Sequence, residues 1–373
     1  MDRYDVIIVV GSFAGLSTAY FTEADKILIL EKMKQLGERQ KSTCCTSVEW
    51  IERLGCENSI LKTFDTMTFH SPNDNEATIP LPETFATIDY SVFCQTLAIK
   101  LKNTEIKTGE AVTGVEPGPA KKVITQKAEY EGEILVDCSG WRAVIANKLR
   151  SGRYFDNKKL SYGIEVETPY SGDTSTIHIY YGKGYIPNGY GWIFPTGEDR
   201  ARIGLGGYKG KDLNVYMERF LDYLEVESGA SKPHGGVLPC QGLREPVVGD
   251  VFVVGDASGG VLPLTGEGIR KSLEYGEICG KAITKVLKGE LKLSEGLNLY
   301  REMVMNSEKF YNDLSFTQNL FTSVPDWARE KIISDIKKIG EGEINRFLNA
   351  YFNDAIRPSK LKITKVFVRG LLA

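Results

Sequence analysis

Histidine is scarce in this chain, with only His70, His178 and His234 among 373 residues. The seven cysteines (Cys44, Cys45, Cys56, Cys94, Cys138, Cys240, Cys279) contain no CxxC spacing. Zinc needs clustered thiolate and imidazole ligands, so no metal site is expected. An odd number of scattered thiols cannot form a complete disulfide framework and suits a reducing cytoplasm. An excess of one charge is also missing: 46 Lys and Arg stand against 49 Asp and Glu, which gives no footprint for a nucleic acid. There is no internal repeat and no low-complexity tract. The uncharged stretch from Val6 to Thr22 is interrupted by small polar residues and is marginal in length for a membrane span. Its flank, Met1-Asp2-Arg3-Tyr4-Asp5, lacks the positive start of a signal peptide.

Glycine is plentiful, at 38 residues, which points to tight turns and close backbone approaches to a ligand. Asp5–Val10 reads as a buried strand, Gly11 to Gly15 as a turn into a helix, and Lys26–Leu30 as a second buried strand ending at Glu31. Continuous β-branched runs mark strands covered on both faces, and the order is that of a βαβ unit. Thr66–Leu81 alternates around Asn73-Asp74-Asn75 as a hairpin would. An amphipathic helix follows over Asp89–Lys102, then short antiparallel strands over Val112–Glu133 and a return strand at Ile134–Val136. Leu160–Tyr208 is again strand-rich, Val251–Val254 is a buried strand, a helix begins near Gly268, and 288–352 reads as helical and charged. No convincing helix is read after Gly204-Leu-Gly206-Gly207, so this glycine run is not a second dinucleotide fingerprint.

Three segments carry cofactor signals. A helix N-terminus behind a glycine turn favours a pyrophosphate, and a carboxylate at the next strand end suits a ribose. The first segment, Val10-Gly11-Ser12-Phe13-Ala14-Gly15 with Glu31, has Val10 and Ser12 where the GxGxxG fingerprint has glycines. The second is Val251-Phe-Val-Val-Gly255-Asp256-Ala257, followed by Pro263-Leu-Thr-Gly266-Glu-Gly268-Ile269. Here a strand-end aspartate can meet a ribityl hydroxyl, and helix N–H groups can face the flavin edge where charge develops on reduction. The third is Val136-Asp137-Cys138-Ser139-Gly140-Trp141-Arg142.

Together these resemble the flavin-binding group of aromatic-hydroxylase-like proteins. Tyr190-Gly-Trp192-Ile-Phe194-Pro195, followed after eight residues by Gly204-Leu-Gly206, resembles the YxWxFP…GxG motif of the archaeal geranylgeranyl reductases. The resemblance extends over roughly residues 4–290. It implies an α/β fold: a Rossmann-like FAD-binding domain interleaved with an antiparallel β-sheet substrate domain, plus a C-terminal helical region. The expected boundaries are 1–69, 88–157 and 235–290 for the FAD-binding domain, 70–87 and 158–234 for the substrate domain, and 291–373 for the helices. FAD is the implied cofactor, at Gly11, Ser12, Phe13, Ala14, Gly15, Glu31, Lys32, Val112, Ser139, Gly140, Gly255, Asp256, Pro263, Gly266, Gly268 and Ile269. Tyr190, Trp192, Phe194, Pro195, Gly204 and Gly206 are implied at the lipid. Cys44 and Cys45 fall near the family's Cys-Gly pair beside the flavin ring. Tyr190 and Trp192 join them as candidate catalytic residues. Ser139 stands where the family has Asp, and Tyr90 where it often has Arg.

Alternation alone places Tyr190, Trp192 and Phe194 on one strand face, an apolar wall suited to a prenyl chain. An isolated alkene has no carbonyl to hold negative charge. Hydride from flavin N5 is therefore expected to follow or accompany protonation, with aromatic faces stabilising cation character by about 0.5–2 kcal/mol each. The implied activity is saturation of isolated C=C bonds in geranylgeranyl chains of membrane lipids or related prenyl compounds. The alternatives are a flavin-dependent monooxygenase or halogenase, since halogenases carry a related WxWxIP motif, and a non-catalytic flavin-fold protein that binds a lipid or a partner. Electrons would come from an external donor such as NADPH, ferredoxin or another reductant. The three histidines have no recognisable partners and are expected to be structural or superficial. Arg357, Lys360, Lys362, Lys365 and Arg369 alternate with apolar residues, a pattern suited to peripheral contact with the inner face of a membrane.

Overall fold

Ile7 and Val9 of the first strand face one cluster of apolar side chains, while Val6 and Ile8 face another. Two-sided burial of this kind is what a central parallel strand requires. The computed structural model describes all residues except 1–2, 41, 119, 151, 185, 208–212, 227–230, 339–340 and 355–373. The basic terminal segment from Arg357 to Arg369 lies outside the described residues.

In chain order the first half contains β1 (Arg3–Val9), α1 (Phe13–Tyr20), β2 (Ile27–Glu31), β3 (Cys45–Ser47), α2 (Val48–Arg53), β4 (Ile60–His70), β5 (Glu76–Ile88) and α3 (Tyr90–Ile99). It continues with β6 (Thr104–Thr108), β7 (Val112–Glu116), β8 (Lys121–Thr125), β9 (Glu129–Asp137) and α4 (Val144–Leu149). Then come β10 (Ser161–Pro169), β11 (Ile177–Gly182), β12 (Ile186–Pro195), β13 (Arg200–Gly207), α5 (Leu213–Tyr223), β14 (His234–Leu238), β15 (Val247–Val248) and β16 (Val251–Val253). The end of the chain is helical: α6 (Ile269–Leu287), α7 (Leu293–Met305), α8 (Glu308–Ser323), α9 (Asp326–Ile336) and α10 (Glu341–Phe352).

These strands form two sheets. The first runs β15-β16-β9-β1-β2-β6, with β8 and β7 continuing from β9. β16, β9, β1, β2 and β6 are mutually parallel, and α1 and α6 pack against each other on one face. The second sheet runs β14-β10-β13-β12-β11-β4-β5-β3 and is antiparallel except for β11 beside β4. The mixed α/β architecture with appended helices is the one expected. Several elements depart from the sequence reading, among them β6 and α5. β6 was not anticipated, because Thr-Glu-Ile-Lys-Thr offers only one apolar residue to an edge position. A helix, α5, does follow Gly207; it buries Leu213, Met217 and Phe220 against the second sheet, on the cluster that contains Ile203 and Leu205.

The β1–α1 turn shows how misfitting residues are held. Val10 has φ +83°, in a region that costs a β-branched side chain about 1–3 kcal/mol. Its N–H donates to the Leu30 carbonyl at 2.9 Å, and its side chain packs on the cluster around Ile7 and Val9. Gly15 is needed one turn later, since a Cβ there would lie 2.0 Å from the Val10 carbonyl oxygen. The surrounding sheet thus over-determines a strained turn. Val10→Gly is expected to raise stability by about 1 kcal/mol, strain relief outweighing the added unfolded-state entropy of glycine. The check is the urea midpoint at constant m-value. An unchanged or lower midpoint would mean that packing of the isopropyl group outweighs the strain.

Candidate functional site

The two sheets meet across a cavity of about 720 Å3 whose lining comes from both of them and from α8, α9 and α10. One end is built from turns. Ser12 caps α1 and Gly268 caps α6, neither with a side-chain hydrogen bond, and both residues line the cavity. Such N-termini present backbone N–H groups and positive dipole ends to an anion. Glu31, the last residue of β2, is 5% exposed and accepts from the Gly11 N–H at 3.0 Å and the Met33 N–H at 2.8 Å. Two amides thus hold the carboxylate at the cavity wall beside the turn. Gly140 and Gly266 have φ near +67° and +68° and also line the cavity; a Cβ on Gly140 would meet nothing within 4 Å. The backbone there is open to a ligand. Asp256 lies beside the α6 N-terminus, its Oδ1 3.1 Å from where a Cβ on Gly268 would stand.

The third sequence segment works through its neighbour. Asp137 is fully buried and accepts from the N–H groups of Ser139, Ile145 and Ala146 and from the Ser139 hydroxyl. Burial pushes its carboxyl up, against those hydrogen bonds, which pull it down. The Ser139 hydroxyl in turn accepts from Val144 N–H at 2.6 Å. Ser139 therefore organises the start of α4 while lining the cavity.

Lys32, Phe13, Ala14 and Ile269 line the same space, whereas Gly15, Val112, Gly255 and Pro263 do not. Gly255 instead separates α1 from α6, where a Cβ would meet Ser272 Oγ at 2.8 Å and Ala14 Cβ at 2.9 Å. Val112 packs with the β7–β9 side of the first sheet. Tyr90 lines the cavity with its ring 5.1 Å from that of Phe13.

The other end is apolar. Tyr190, Trp192 and Phe194 share the cavity-facing side of β12 and pack around Phe64, Ile177 and Ile179. The Tyr190 and Trp192 ring centroids are 5.8 Å apart, and the Tyr190 hydroxyl donates to the Thr265 carbonyl ahead of α6. Pro195 and Gly204 do not line the cavity, but Gly206 does. Gly204 serves the wall from beneath: a Cβ would stand 2.6 Å from Trp192 Cε2, Glu165 Cβ and the Ile164 oxygen. Gly206 would meet Trp192 Cζ3 at 3.2 Å and Gly163 would meet Trp192 Cη2 at 3.5 Å. Three glycines on two strands thus form the bed of the indole.

Cys44 and Cys45 both line the cavity between the two ends. Cys44 is 2% exposed at φ +53°, and burial pushes its thiol up to about 12. Burial also raises Cys45, which packs on the aromatic cluster. Both are neutral thiols at ordinary pH.

Three contributions were not visible in the sequence. The C-terminal helices supply a wall through Leu314, Phe321, Ile332, Ile344 and Leu348; their amphipathic spacing was legible, the surface they cover was not. Arg329, 1% exposed, reaches the wall between the Asp326 carboxylate at 3.5 Å and the Pro187 carbonyl at 3.3 Å. The histidines are not isolated either: His70 Nε2 lies 3.0 Å from His178 Nδ1, and His234 Nε2 lies 2.8 Å from Oε1 of buried Glu165. Desolvation, then the His178 charge, lowers His70 to about 4. No local pattern could reveal pairs separated by 108 and 69 residues.

The glycine bed yields a direct test. Gly204→Ala is expected to tilt the indole and cost about 1–3 kcal/mol through overpacking, seen as a changed near-ultraviolet circular dichroism spectrum and a lower melting temperature. Gly163→Ala, with only ordinary contacts, is expected to leave both nearly unchanged. Equal behaviour of the two variants would remove Gly204 from this role.

Residues 161–233 match the family described as geranylgeranyl reductase catalytic domain. The digeranylgeranylglycerophospholipid reductase of Methanococcus aeolicus is 26% identical over 389 residues, spanning 95% of this chain and 98% of the relative. That of Methanocaldococcus jannaschii is 28% identical over 317 residues, spanning 77% and 78%. In fold, a geranylgeranyl bacteriochlorophyll reductase-like protein of Thermoplasma acidophilum superposes with a TM-score of 0.84 at 14% identity, over 99% of this chain and 100% of the other. A flavin-dependent brominase superposes at 0.72 with 16% identity, over 99% and 98%. The chain is similar over nearly its whole length to the archaeal geranylgeranyl reductases, as its aromatic strand motif implied.

Proposed function

We propose that this protein is an FAD-dependent reductase that saturates isolated C=C bonds of geranylgeranyl chains in membrane lipids or related prenyl compounds. The observation that carries the reading is a single cavity with two helix N-termini, a buried carboxylate and glycine turns at one end and an aromatic-walled apolar chamber at the other. FAD fits the first end as a cradle because the chain offers backbone amides for its phosphates, the Glu31 carboxylate for its ribose and open backbone at Gly140. Gly11, Ser12, Phe13 and Ala14 would hold the pyrophosphate, Glu31 the adenosine ribose, Asp256 the ribityl chain, and Gly266, Gly268 and Ile269 the edge of the ring. Lys32, Ser139 and Gly140 complete the cradle. The bound cofactor, once reduced, supplies the hydride.

The chain's own residues do the rest. Tyr190, Trp192 and Phe194 position the alkene and present aromatic faces to the carbon that gains positive character. Low-dielectric surroundings strengthen that attraction and exclude water, which would otherwise capture the cation. Cys44 and Cys45, held as neutral thiols, line the junction of cradle and chamber without adding charge. The helical wall encloses the remaining apolar chain. Phe316 lines the cavity yet is 63% exposed, and Trp327 on the neighbouring helix is 54% exposed. Exposed apolar side chains on these two helices support contact of this side of the protein with a bilayer surface, which belongs to the proposal. Among the described residues no helix is long and apolar enough to cross a membrane.

Adding a geranylgeranylated lipid to chemically reduced protein under anaerobic conditions should reoxidise the flavin and yield saturated product. Trp192→Ala should slow that step by about 2- to 30-fold, the range set by one cation–π contact. Failure of the lipid to reoxidise a demonstrably flavin-loaded protein would sink the reading.

A further inference from the structure

A row of directly opposed residues crosses the second sheet. His234 on the edge strand β14 faces Glu165 of β10, Glu165 faces Gly204 of β13, and Gly204 faces Trp192 of β12. Opposed residues on neighbouring strands project to the same side of a sheet, and here that side faces the cavity, which both Glu165 and Trp192 line. The row therefore runs from the protein edge to the aromatic wall, and its composition changes from a partly open imidazole to an indole.

Glu165 is the anomalous member. It is 2% exposed, and a carboxylate in such surroundings costs several kcal/mol unless it is paired and hydrogen-bonded. Its Oε2 accepts from the Thr43 hydroxyl at 2.7 Å and from Trp192 Nε1–H at 3.3 Å, while its Oε1 lies 2.8 Å from His234 Nε2. The nearby buried Arg202 is turned elsewhere: its guanidinium donates to the carbonyls of Thr43 at 2.6 Å and Ile88 at 3.1 Å and lies 3.5 Å from Glu167. His234, with 29% of its side chain exposed, is the ionisable partner that also reaches solvent. The two carboxyl oxygens are thus divided. One faces a solvent-linked imidazole, and the other faces the cavity beside Trp192 and Thr43.

Resting on the reductase reading, we infer that Glu165 delivers the proton to the alkene and that His234 recharges it from solvent. The Oε2–H bond breaks as a C–H bond forms at one alkene carbon. Oε1 of the resulting carboxylate then takes a proton from the His234 imidazolium, which regains one from water, and rotation of the carboxyl group returns its O–H to the cavity side. The bound reduced cofactor would supply the hydride for the other alkene carbon, so that two C–H bonds would replace the π bond with no further reactant. In the carboxylate form the negative charge sits at the N–H edge of the indole and attracts a cation held in the cavity beside Trp192. Of the other cavity-lining acids, Glu31 holds Gly11 and Met33, Glu38 accepts from the N–H groups of Lys34 and Gln35, Glu267 is paired with Arg270 at 2.6 Å, and Asp256 stands at the α6 N-terminus. The thiols and the Tyr190 hydroxyl are pushed to higher pKa by burial and are weaker acids.

The test uses the FAD-loaded protein and two probes, a geranylgeranylated lipid and a prenyl chain ending in a dimethylammonium group. Glu165→Gln keeps the shape of the side chain, and an unaltered flavin spectrum reports that the variant is folded. It should slow lipid reduction by about 100-fold or more. It should also weaken binding of the ammonium chain about tenfold while a neutral chain of equal length binds as before. His234→Ala should lower kcat with KM unchanged and be restored by added imidazole, which a purely structural role would not allow. A Glu165→Gln variant with full rate and undiminished ammonium affinity overturns the assignment. A wild-type protein that binds both chains but leaves the alkene intact removes the reductase reading itself and the relay with it, a failure distinct from the first.

Discussion

The indole of Trp192 must lie flat against the backbone of two neighbouring strands, and much of the site follows from that demand. An aromatic ring standing on a sheet needs its cross-strand and diagonal neighbours to be small. Gly163, Gly204 and Gly206 meet that need, and a Cβ at Gly204 would collide with the ring. With the ring down, the cavity-facing side of β12 becomes a continuous wall from Tyr190 to Phe194. The space left open at Gly204 lets the indole N–H reach across to Glu165. The YxWxFP…GxG pattern is therefore one packing unit rather than a set of separate ligand contacts.

That unit is tied to the cradle by a few bonds of large consequence. The Tyr190 hydroxyl is anchored on the Thr265 carbonyl, and the Thr265 hydroxyl meets Tyr351 at 2.7 Å. Glu267 connects Arg270 of α6 to the same Tyr351 hydroxyl at 3.0 Å. The wall, the loop ahead of α6 and the terminal helix thus converge within a few residues. Buried charges there are paired as burial requires: the Arg270 and Tyr351 contacts hold the Glu267 carboxyl below its ordinary range, against the desolvation that would raise it. A chamber intended for an apolar chain can carry such charges only because each has a partner in the wall.

Legibility from sequence tracked the distance over which each interaction acts. The parallel strands other than β6, the α1 and α6 starts and the aromatic face of β12 were readable because period-two and period-3.6 patterns are local. Val10 was readable as a misfit, and the structure shows the misfit retained at positive φ rather than avoided. Glu165 gave no signal, since a glutamate within an alternating strand is usually a solvated residue. His234 looked isolated for the same reason. The α8–α10 helices displayed apolar stripes, yet nothing in a stripe specifies which surface will cover it. Helix α5 was missed because Leu213, Met217 and Phe220 form a short stripe after a glycine strand.

The sequence by itself determined the architecture and the chemical character of the two cavity ends, because strand burial, turn chemistry and side-chain alternation are written in neighbouring residues. Tertiary structure alone decided what meets at the junction. Strand register set His234 opposite Glu165 and Glu165 opposite Gly204, and helix packing closed the chamber. Register and docking depend on the summed packing of many distant side chains, each contribution small beside the total. No single segment encodes them.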